Sequence, residues 1–482
     1  MGDNLNSPLA KAAALVAVLA ATAVAVGAGS GVISLRMDSR LLPGGHWLFS
    51  AGFAPLAIWL MLRGRSHPDW DPLEPGRLFS FVWCVTLAIC FLRLSVFEAP
   101  FTVRLALVVG GGIGMFLFGV GLAYSLFPRA TWRSLAAVRR GVQPRWSFHS
   151  AFLLLCALYL AAIGAFAYTI YHFGAFPILS GDIEWARNSF AVNSYLQRLL
   201  LTLYVVAPLA LSLAVTFRKH RALLALMWLS GAAVFFLVAS SYFILTIIIV
   251  SFVLYRYTAP KLDWRRIGAI LLVVFLAKMA VDTFRFIRSG YYANLTVGQD
   301  FPAALLPVAG DYFYVVMNLQ VLQHLAEATP ALFPYQHGYY LSYPLRAPFE
   351  RGTSGQGKGK LTDALWQPTA DWFGFSTVTS SCFGEPLEDF GMAGVWFWGL
   401  VAGFGAAAAY ARLRRQPSWM ANFIMAQVTL AILVSFFSNA FALFDVYWAL
   451  LLAWGFDRFC QARSERAWSR ASLRPQRAAV GT

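Results

Sequence analysis

Charge is scarce in this sequence. Only 12% of its residues are Asp, Glu, Lys or Arg, whereas hydrophobic residues make up 59%. An ordinary soluble domain carries about a quarter charged residues, so the composition excludes a large soluble helical protein. Cysteine is also rare. The five cysteines are scattered without a CxxC or Cys/His spacing, which predicts neither a metal site nor a disulfide framework.

Acidic residues are fewer than basic ones, 22 against 38, and the formal net charge is +16. In a soluble protein such an excess would suggest nucleic acid. In a polytopic membrane protein it has another cause, because Lys and Arg concentrate in the cytoplasmic loops. We therefore expect no nucleic acid partner.

Long apolar runs are abundant. A spanning helix needs roughly 20 apolar residues, and runs near that length predict about twelve transmembrane helices in one all-α membrane domain, residues 1–482. The first run is interpreted as a retained helix rather than a cleavable signal. Residues 222–255 are interpreted as two short helices that meet at Ser240 and Ser241, because basic residues flank both ends. The predicted helices cover residues 12–33, 46–62, 78–97, 101–127, 150–173, 198–217, 222–239, 242–255, 267–284, 390–411, 419–438 and 440–457.

Basic residues predict the orientation of this bundle, since Lys and Arg favour the cytoplasmic side. With twelve helices, the strongly basic loops fall on one side together with both termini, and the stretch 285–389 faces outward. The basic segments contain Arg63, Arg65 and Arg77; Arg129, Arg133, Arg139, Arg140 and Arg145; Arg412, Arg414 and Arg415; and the tail from Arg458 to Arg477.

The outward region 285–389 is the only long run between two predicted spanning helices, and it holds most of the polar side chains available for chemistry. Apolar residues near helical spacing predict an amphipathic helix at 311–327. This helix lies on the outer surface or folds back onto the bundle.

Several cations stand on the outward side or at the outer helix ends, where the orientation rule does not predict them, and Arg187, Arg285 and Arg288 are the candidates for a site among them. Arg285 and Arg288 are three apart and share a face if the preceding helix continues. At the outer interface, their planar guanidinium groups match the oxygens of a lipid diphosphate. The alternative is that they only extend to water and lipid phosphates.

Aromatic residues are the other candidates in this region. Trp366 and Trp372 could stack on sugar faces, or they could belong to an interfacial aromatic belt. Tyr339, in the aromatic run 335–340, is a third candidate for sugar binding.

The segment Ser376 to Gly394 carries a distinctive pattern, most clearly from Ser380 onward: a small, Ser-rich run, then Gly384-Glu385, a few residues later Phe390-Gly391, and a further glycine. This pattern resembles the signature of the bacterial oligosaccharide repeat-unit polymerases, the O-antigen polymerase group. The motif covers about twenty residues. The layout of many helices, with a long outward loop late in the chain, is similar over most of the sequence.

The resemblance implies a GT-C-like membrane glycosyltransferase in the bacterial inner membrane, with its site facing outward. It implies metal-independent polymerisation of undecaprenyl-diphosphate-linked oligosaccharides into a surface polysaccharide, without a cofactor. The expected partners are the lipid-linked oligosaccharide, membrane lipid and, within the pathway, a chain-length regulator and a flippase. The arginines named above would bind the diphosphate, Glu385 matches the motif's glutamate, and His337 is the candidate for the outward histidine of related ligases.

Glu385 stands between Gly384 and Pro386, which predicts a non-helical bend, with the next helix beginning near Asp389. Glu388 and Asp389 are then interpreted as first-turn acids that the helix dipole stabilises. Two roles stay open for Glu385: accepting a proton from the acceptor sugar, or holding an arginine in place.

Other functions fit the sequence less well. A ligase would move a glycan from the same lipid onto a lipid core, and the sequence separates it poorly from a polymerase. A polysaccharide or lipid transporter would place charges near the bilayer midplane and broken helices in matching halves, which this chain does not show. A non-catalytic assembly scaffold is the third alternative.

Overall fold

The computed structural model describes residues 45–67, 69–94, 101–144, 146–180, 186, 190, 194–217, 219–238, 240–259, 309–331, 334–346 and 380–479. All regular elements in these ranges are helices, in agreement with the all-α class. The predicted helices at 12–33 and 267–284 lie outside the described residues.

Two compact units make up the chain. Unit 1 contains Met1–Trp132, Phe286–Arg415 and Val428–Phe444; unit 2 contains Arg133–Arg285, Gln416–Gln427 and Asp445–Thr482. Each unit therefore combines segments from both halves of the sequence.

The helices of unit 1 are α1 (Gly45–Leu62), α2 (Pro75–Cys90), α3 (Val103–Leu126), α10 (Ala309–Ala328), the short α11 (Tyr343–Arg346) and α12 (Gly384–Arg415). Those of unit 2 are α4 (Leu135–Gly141), α5 (Phe148–Phe173), α6 (Ser194–Leu201), α7 (Leu203–Phe217), α8 (Arg221–Leu237) and α9 (Ser241–Thr258). Helix α13 (Trp419–Leu433) passes from unit 2 into unit 1, and α14 (Phe444–Ala479) continues into unit 2.

Four segments of the described chain are long and apolar enough to cross a membrane: Val103–Leu126, Phe148–Leu179, Leu196–Phe217 and Gly384–Arg415. Shorter apolar helices accompany them at Phe49–Leu62, Pro75–Cys90, Arg221–Leu237, Tyr242–Thr258 and Trp419–Leu433. By length and composition, this set of apolar helices is compatible with a helical membrane protein.

Local sequence signals explain several helix ends. The Thr102 hydroxyl accepts a hydrogen bond from the Leu105 N–H at 3.3 Å and so caps α3. Pro75 occupies the first turn of α2, where its missing N–H costs nothing. Gly174 ends α5 in the left-handed conformation, at φ 79°. The predicted break between α8 and α9 is confirmed, because α9 begins at Ser241.

Helices α3 and α12 pack with their backbones close together, which glycines make possible. A Cβ on Gly403 would lie 2.0 Å from the Phe116 carbonyl oxygen, and one on Gly119 would lie 2.3 Å from that of Leu400. Small residues allow this approach in helical membrane proteins, where apolar burial alone gives little attraction between helices. The pair forms the rigid centre of unit 1.

Ion pairs join two loops of unit 1 and the last turn of α12 at the end of the bundle where α12 finishes. Arg129, after α3, pairs with Glu74, before α2. Arg414, at the end of α12, pairs with Asp69 at 3.3 Å. Three segments that we expected on one side, around Arg77, Arg129 and Arg414, therefore lie at the same end of this unit.

Helix α10 covers the predicted helix at 311–327, and its packing agrees with the alternative in which this helix folds back onto the bundle. It packs against α2, α3 and α12, and the side chains of Asn318, Gln320 and Gln323 are buried. Its polar residues thus face protein as well as solvent. The alternative in which the helix lies on the outer surface does not hold for these buried side chains, since polar residues within a bundle can face neighbouring helices.

Candidate active site

The signature segment begins with a turn that is fixed to the rest of unit 1. The Cys382 N–H donates to the Ser435 carbonyl at 2.7 Å, and the Phe383 N–H donates to Ser381 Oγ at 3.2 Å. The Phe383 ring is buried, with its centroid 5.0 Å from that of Trp83. The start of α12 is consequently held in one place.

Glu385 lies in the first turn of α12, which begins at Gly384. The expectation of a non-helical bend, with the helix starting near Asp389, is wrong. Pro386 does not delay the helix, because the first-turn N–H groups have no intrahelical acceptor and proline loses nothing there. The Glu385 side chain is half-buried, and its Oε2 accepts a hydrogen bond from Asn439 Nδ2 at 3.1 Å.

A sharp kink follows nearly two turns later, at Gly391, where φ is 66° and ψ is −154°. A side chain is disfavoured here for two reasons: the left-handed backbone, and the Tyr335 hydroxyl, which would lie 2.7 Å from a Cβ. Beyond the kink, a Cβ on Gly394 would lie 2.3 Å from the Pro386 carbonyl oxygen. The glycines of the motif thus serve the bend that presents the first turn of α12.

The segment 335–346 is hydrogen-bonded to this first stretch of α12. The Gln336 and His337 N–H groups donate to the carbonyls of Glu388 and Asp389, both at 3.0 Å. The buried Asp389 carboxylate accepts from the N–H of Tyr340 at 3.1 Å and of Leu341 at 2.8 Å. Asp389 is therefore a structural clamp rather than the simple first-turn acid that we expected.

His337 occupies a tight turn close to the beginning of the segment 335–346. His337 and Gly338 both have positive φ, at 52° and 89°, and the Tyr339 N–H donates to the Gln336 carbonyl at 3.1 Å. Two consecutive positive φ values are those of a type I′ turn. The His337 side chain is exposed, so the turn presents an imidazole to its surroundings beside the start of α12.

Tyr339 and Tyr340 have different environments. The Arg346 guanidinium lies 3.8 Å from the centre of the Tyr339 ring, so a sugar that stacks on Tyr339 would use the opposite face. Burial raises the pKa of the Tyr340 phenol, and the carboxylates of Glu388, Asp389 and Glu385 act in the same direction. Tyr340 is thus a neutral hydroxyl within electrostatic reach of Glu385.

Three of the predicted site residues, Glu385, His337 and Tyr339, lie within the described residues, and the His337 backbone is bonded to the Asp389 carbonyl, four residues after Glu385. The other candidates, Arg187, Arg285, Arg288, Trp366 and Trp372, lie outside the described residues. Sequence reasoning missed Asn439 and Arg346 as neighbours of the site. Asn439 is 54 residues from Glu385, and no periodicity or spacing announces such a contact.

In the part of the chain that the structure describes, no three His, Cys, Asp or Glu side chains are grouped so that they could hold a metal ion. Fold and site together define a helical protein with apolar helices of membrane-spanning length and a polar site at the beginning of one of them. No family model matches the chain, and neither a curated protein nor a solved structure is similar to it.

Proposed function

We propose that this protein polymerises lipid-diphosphate-linked oligosaccharide repeat units at the outer face of the bacterial inner membrane. The proposal includes a GT-C-like bundle of about twelve spanning helices with both termini in the cytoplasm. It rests on the resemblance of the Ser380–Gly394 segment to the O-antigen polymerase signature, and the product would be an O-antigen, capsule or exopolysaccharide.

The observation that carries the proposal is the placement of Glu385. The carboxylate stands in the first turn of an apolar helix long enough to cross a membrane, half-buried beside the docked segment that contains His337 and Tyr339. An ionisable residue at such a position favours a functional site over a purely structural one.

In the proposed reaction an acceptor sugar hydroxyl attacks the anomeric carbon of the donor. A new carbon–oxygen bond forms, and the bond from that carbon to the diphosphate oxygen breaks, so that the lipid diphosphate leaves with the electron pair. The hydroxyl proton passes to a base, for which Glu385 and His337 are the candidates. The diphosphate is a good leaving group, and the proposal therefore needs no metal ion or nucleotide.

Negative charge develops on the leaving diphosphate, and fixed cations aimed at it would lower the barrier. We assign this role to Arg187, Arg285 and Arg288, and sugar stacking to Trp366, Trp372 and one face of Tyr339. For each of the arginines, replacement by Lys should also impair polymerisation, because the bidentate fork is lost.

The direct test is the set of lipid-linked glycans that accumulate after deletion of the gene from its own host. If the protein is a polymerase, its deletion should leave single repeat units on the carrier lipid and no long chains. Long chains on the carrier lipid would instead indicate a ligase. An unchanged glycan profile would contradict both and leave a role without glycosyl transfer.

A further inference from the structure

The orientation of one buried amide near Glu385 can be read from its neighbours. Asn439 is 2% exposed, and its Oδ1 accepts a hydrogen bond from Trp398 Nε1 at 3.2 Å. An indole nitrogen is only a donor, so the amide must turn its oxygen toward Trp398. Its NH₂ group then faces the other way, and Nδ2 lies 3.1 Å from Glu385 Oε2.

This order of donors has a chemical consequence for Glu385. Trp398 donates to Asn439, and Asn439 donates to the carboxylate, so Glu385 is an acceptor in this chain of hydrogen bonds. An ionised carboxylate accepts such a bond more strongly than a carboxylic acid does. A reversed amide would leave the Asn439 NH₂ facing the Trp398 N–H, donor against donor.

We infer that Asn439, oriented by Trp398, is a positioning residue that keeps the Glu385 carboxylate ionised and turned so that it can accept a proton. This inference rests on the proposed function, because it assigns Glu385 the role of general base, and not of general acid, in the proposed reaction. The carboxylate would take the proton of the acceptor hydroxyl while Asn439 holds its other oxygen.

Other groups also act on this carboxylate. Glu388 and Asp389 follow on the same helix, the Tyr340 phenol faces it from the docked segment, and the buried Cys382 thiol lies on the preceding turn. The acids disfavour the ionised form through like charge. A donor such as Asn439 offsets that repulsion, which is why its removal should be measurable.

The test measures protonation of Glu385 without relying on catalysis. A hydrophobic carbodiimide modifies carboxyl groups only when they are protonated, and mass spectrometry of the peptide that contains Glu385 gives the extent at each pH. In purified protein in lipid nanodiscs, Asn439→Ala should move the pH of half-modification upward by roughly one unit, the worth of a hydrogen bond to a charged group. Trp398→Phe, which frees the amide to turn, should move it in the same direction by less.

Two controls make the result specific. Glu388, in the same peptide, is an internal reference. The pH dependence of its modification should not change when Asn439 is replaced. Asn422→Ala removes another buried asparagine, which lies in unit 2 and donates to the Leu254 carbonyl, and should leave the Glu385 midpoint unchanged. Should Asn439→Ala fail to fold, Asn439→Asp keeps the acceptor for Trp398, removes the donor and should shift the midpoint further.

An unchanged Glu385 midpoint in the folded Asn439 variants would overturn the inference. A failure of the proposed function would look different. Suppose that Glu385→Gln still made full-length polymer while Asn439→Ala shifted the pH of half-modification of Glu385. The chain of hydrogen bonds would then be supported, and the catalytic assignment of Glu385 would be wrong.

Discussion

In the segment from Ser380 to Gly394, most of the residues discussed above serve packing and local structure, and Glu385 differs from them. Phe383 fills the core, and Gly391 and Gly394 permit a bend in which a Cβ would collide with its neighbours. Asp389 clamps the docked segment. Glu385, in contrast, is half-buried, and its carboxylate accepts a hydrogen bond from the Asn439 amide. Replacement by Gln keeps the shape of this side chain and removes its charge.

We predict that Glu385→Gln abolishes polymer while the amount of protein stays normal. The change keeps the shape of the side chain and removes the proton acceptor, and loss of a general base typically costs about 10²–10⁴-fold in rate. Single lipid-linked repeat units should accumulate, as measured by chromatography of extracted carrier lipids. Glu327→Gln, at an exposed acid on α10 of the same unit, is the matched control and should polymerise normally. Wild-type polymer from Glu385→Gln would remove this residue from the site.

The second residue-scale prediction concerns pH. Burial lowers the pKa of His324 from 6.5, while Glu327 acts in the opposite direction. The unfolded chain therefore takes up a proton first as the pH falls below 6.5, and the folded state loses stability through this window. Thermal unfolding in detergent should show that His324→Gln flattens the slope below pH 6.5 and that Glu327→Gln steepens it. Identical slopes in all three proteins would contradict the assignment.

Among the elements, apolar runs predicted the existence of most described helices and the break at Ser241, because burial in lipid or protein requires continuous apolar length. Boundaries were less predictable. The run at 78–97 became α2 at Pro75–Cys90, and α12 begins at Gly384, before the position that Pro386 suggested. The environment of α10 stayed open between two alternatives, since its polar residues are buried in the bundle and composition does not distinguish that from exposure to water.

Close packing of α3 and α12 predicts a sharp difference between two glycines on one helix. Gly403→Ala places a Cβ 2.0 Å from the Phe116 carbonyl oxygen, so the helices must separate. Gly405 has open space around its Cα, and Gly405→Ala should be neutral or stabilise the helix by up to about 1 kcal/mol. Thermal unfolding of the purified variants should give a lower midpoint for Gly403→Ala alone. Equal midpoints would mean that this crossing is looser than described.

The docked segment 335–346 gives a further prediction at this scale. Asp389→Asn replaces one acceptor oxygen by an NH₂ group, which then faces the N–H of Tyr340 or Leu341. An unsatisfied buried donor costs about 1–3 kcal/mol, so amide exchange at these two positions should accelerate about tenfold or more. Glu388→Gln leaves both N–H acceptors in place and serves as the control in the same hydrogen-exchange measurement. Unchanged protection in Asp389→Asn would show that the clamp lies elsewhere.

For the whole molecule, the basic segments and the number of apolar runs predicted that the basic loops share one side of the bundle. In unit 1, three of these basic segments lie at the same end. Arg414 pairs with Asp69, and the Tyr410 hydroxyl donates to Asp71 at 3.0 Å, so residues more than 300 positions apart meet at one end. The sequence could predict that these basic segments share a side, because the positive-inside rule acts on each loop separately. It could not predict which carboxylate each arginine would find, since such pairs depend on the three-dimensional arrangement of the helices.

The complete topology stays a prediction from the basic loops, and cysteine accessibility tests it. Cys84, Cys90, Cys382 and Cys460 are buried, so Cys156→Ser gives a background with little reactive thiol. In intact cells a membrane-impermeant maleimide should label Gly355→Cys and miss Gln143→Cys, because the basic-loop pattern predicts an outward position for the first and a cytoplasmic loop for the second. The Gln143 side chain is exposed, so permeabilisation should make Gln143→Cys reactive and prove that the site was hidden by the membrane. Labelling of Gln143→Cys in intact cells would invert the orientation, and the Glu385 carboxylate would then face the cytoplasm, away from any outward glycan assembly.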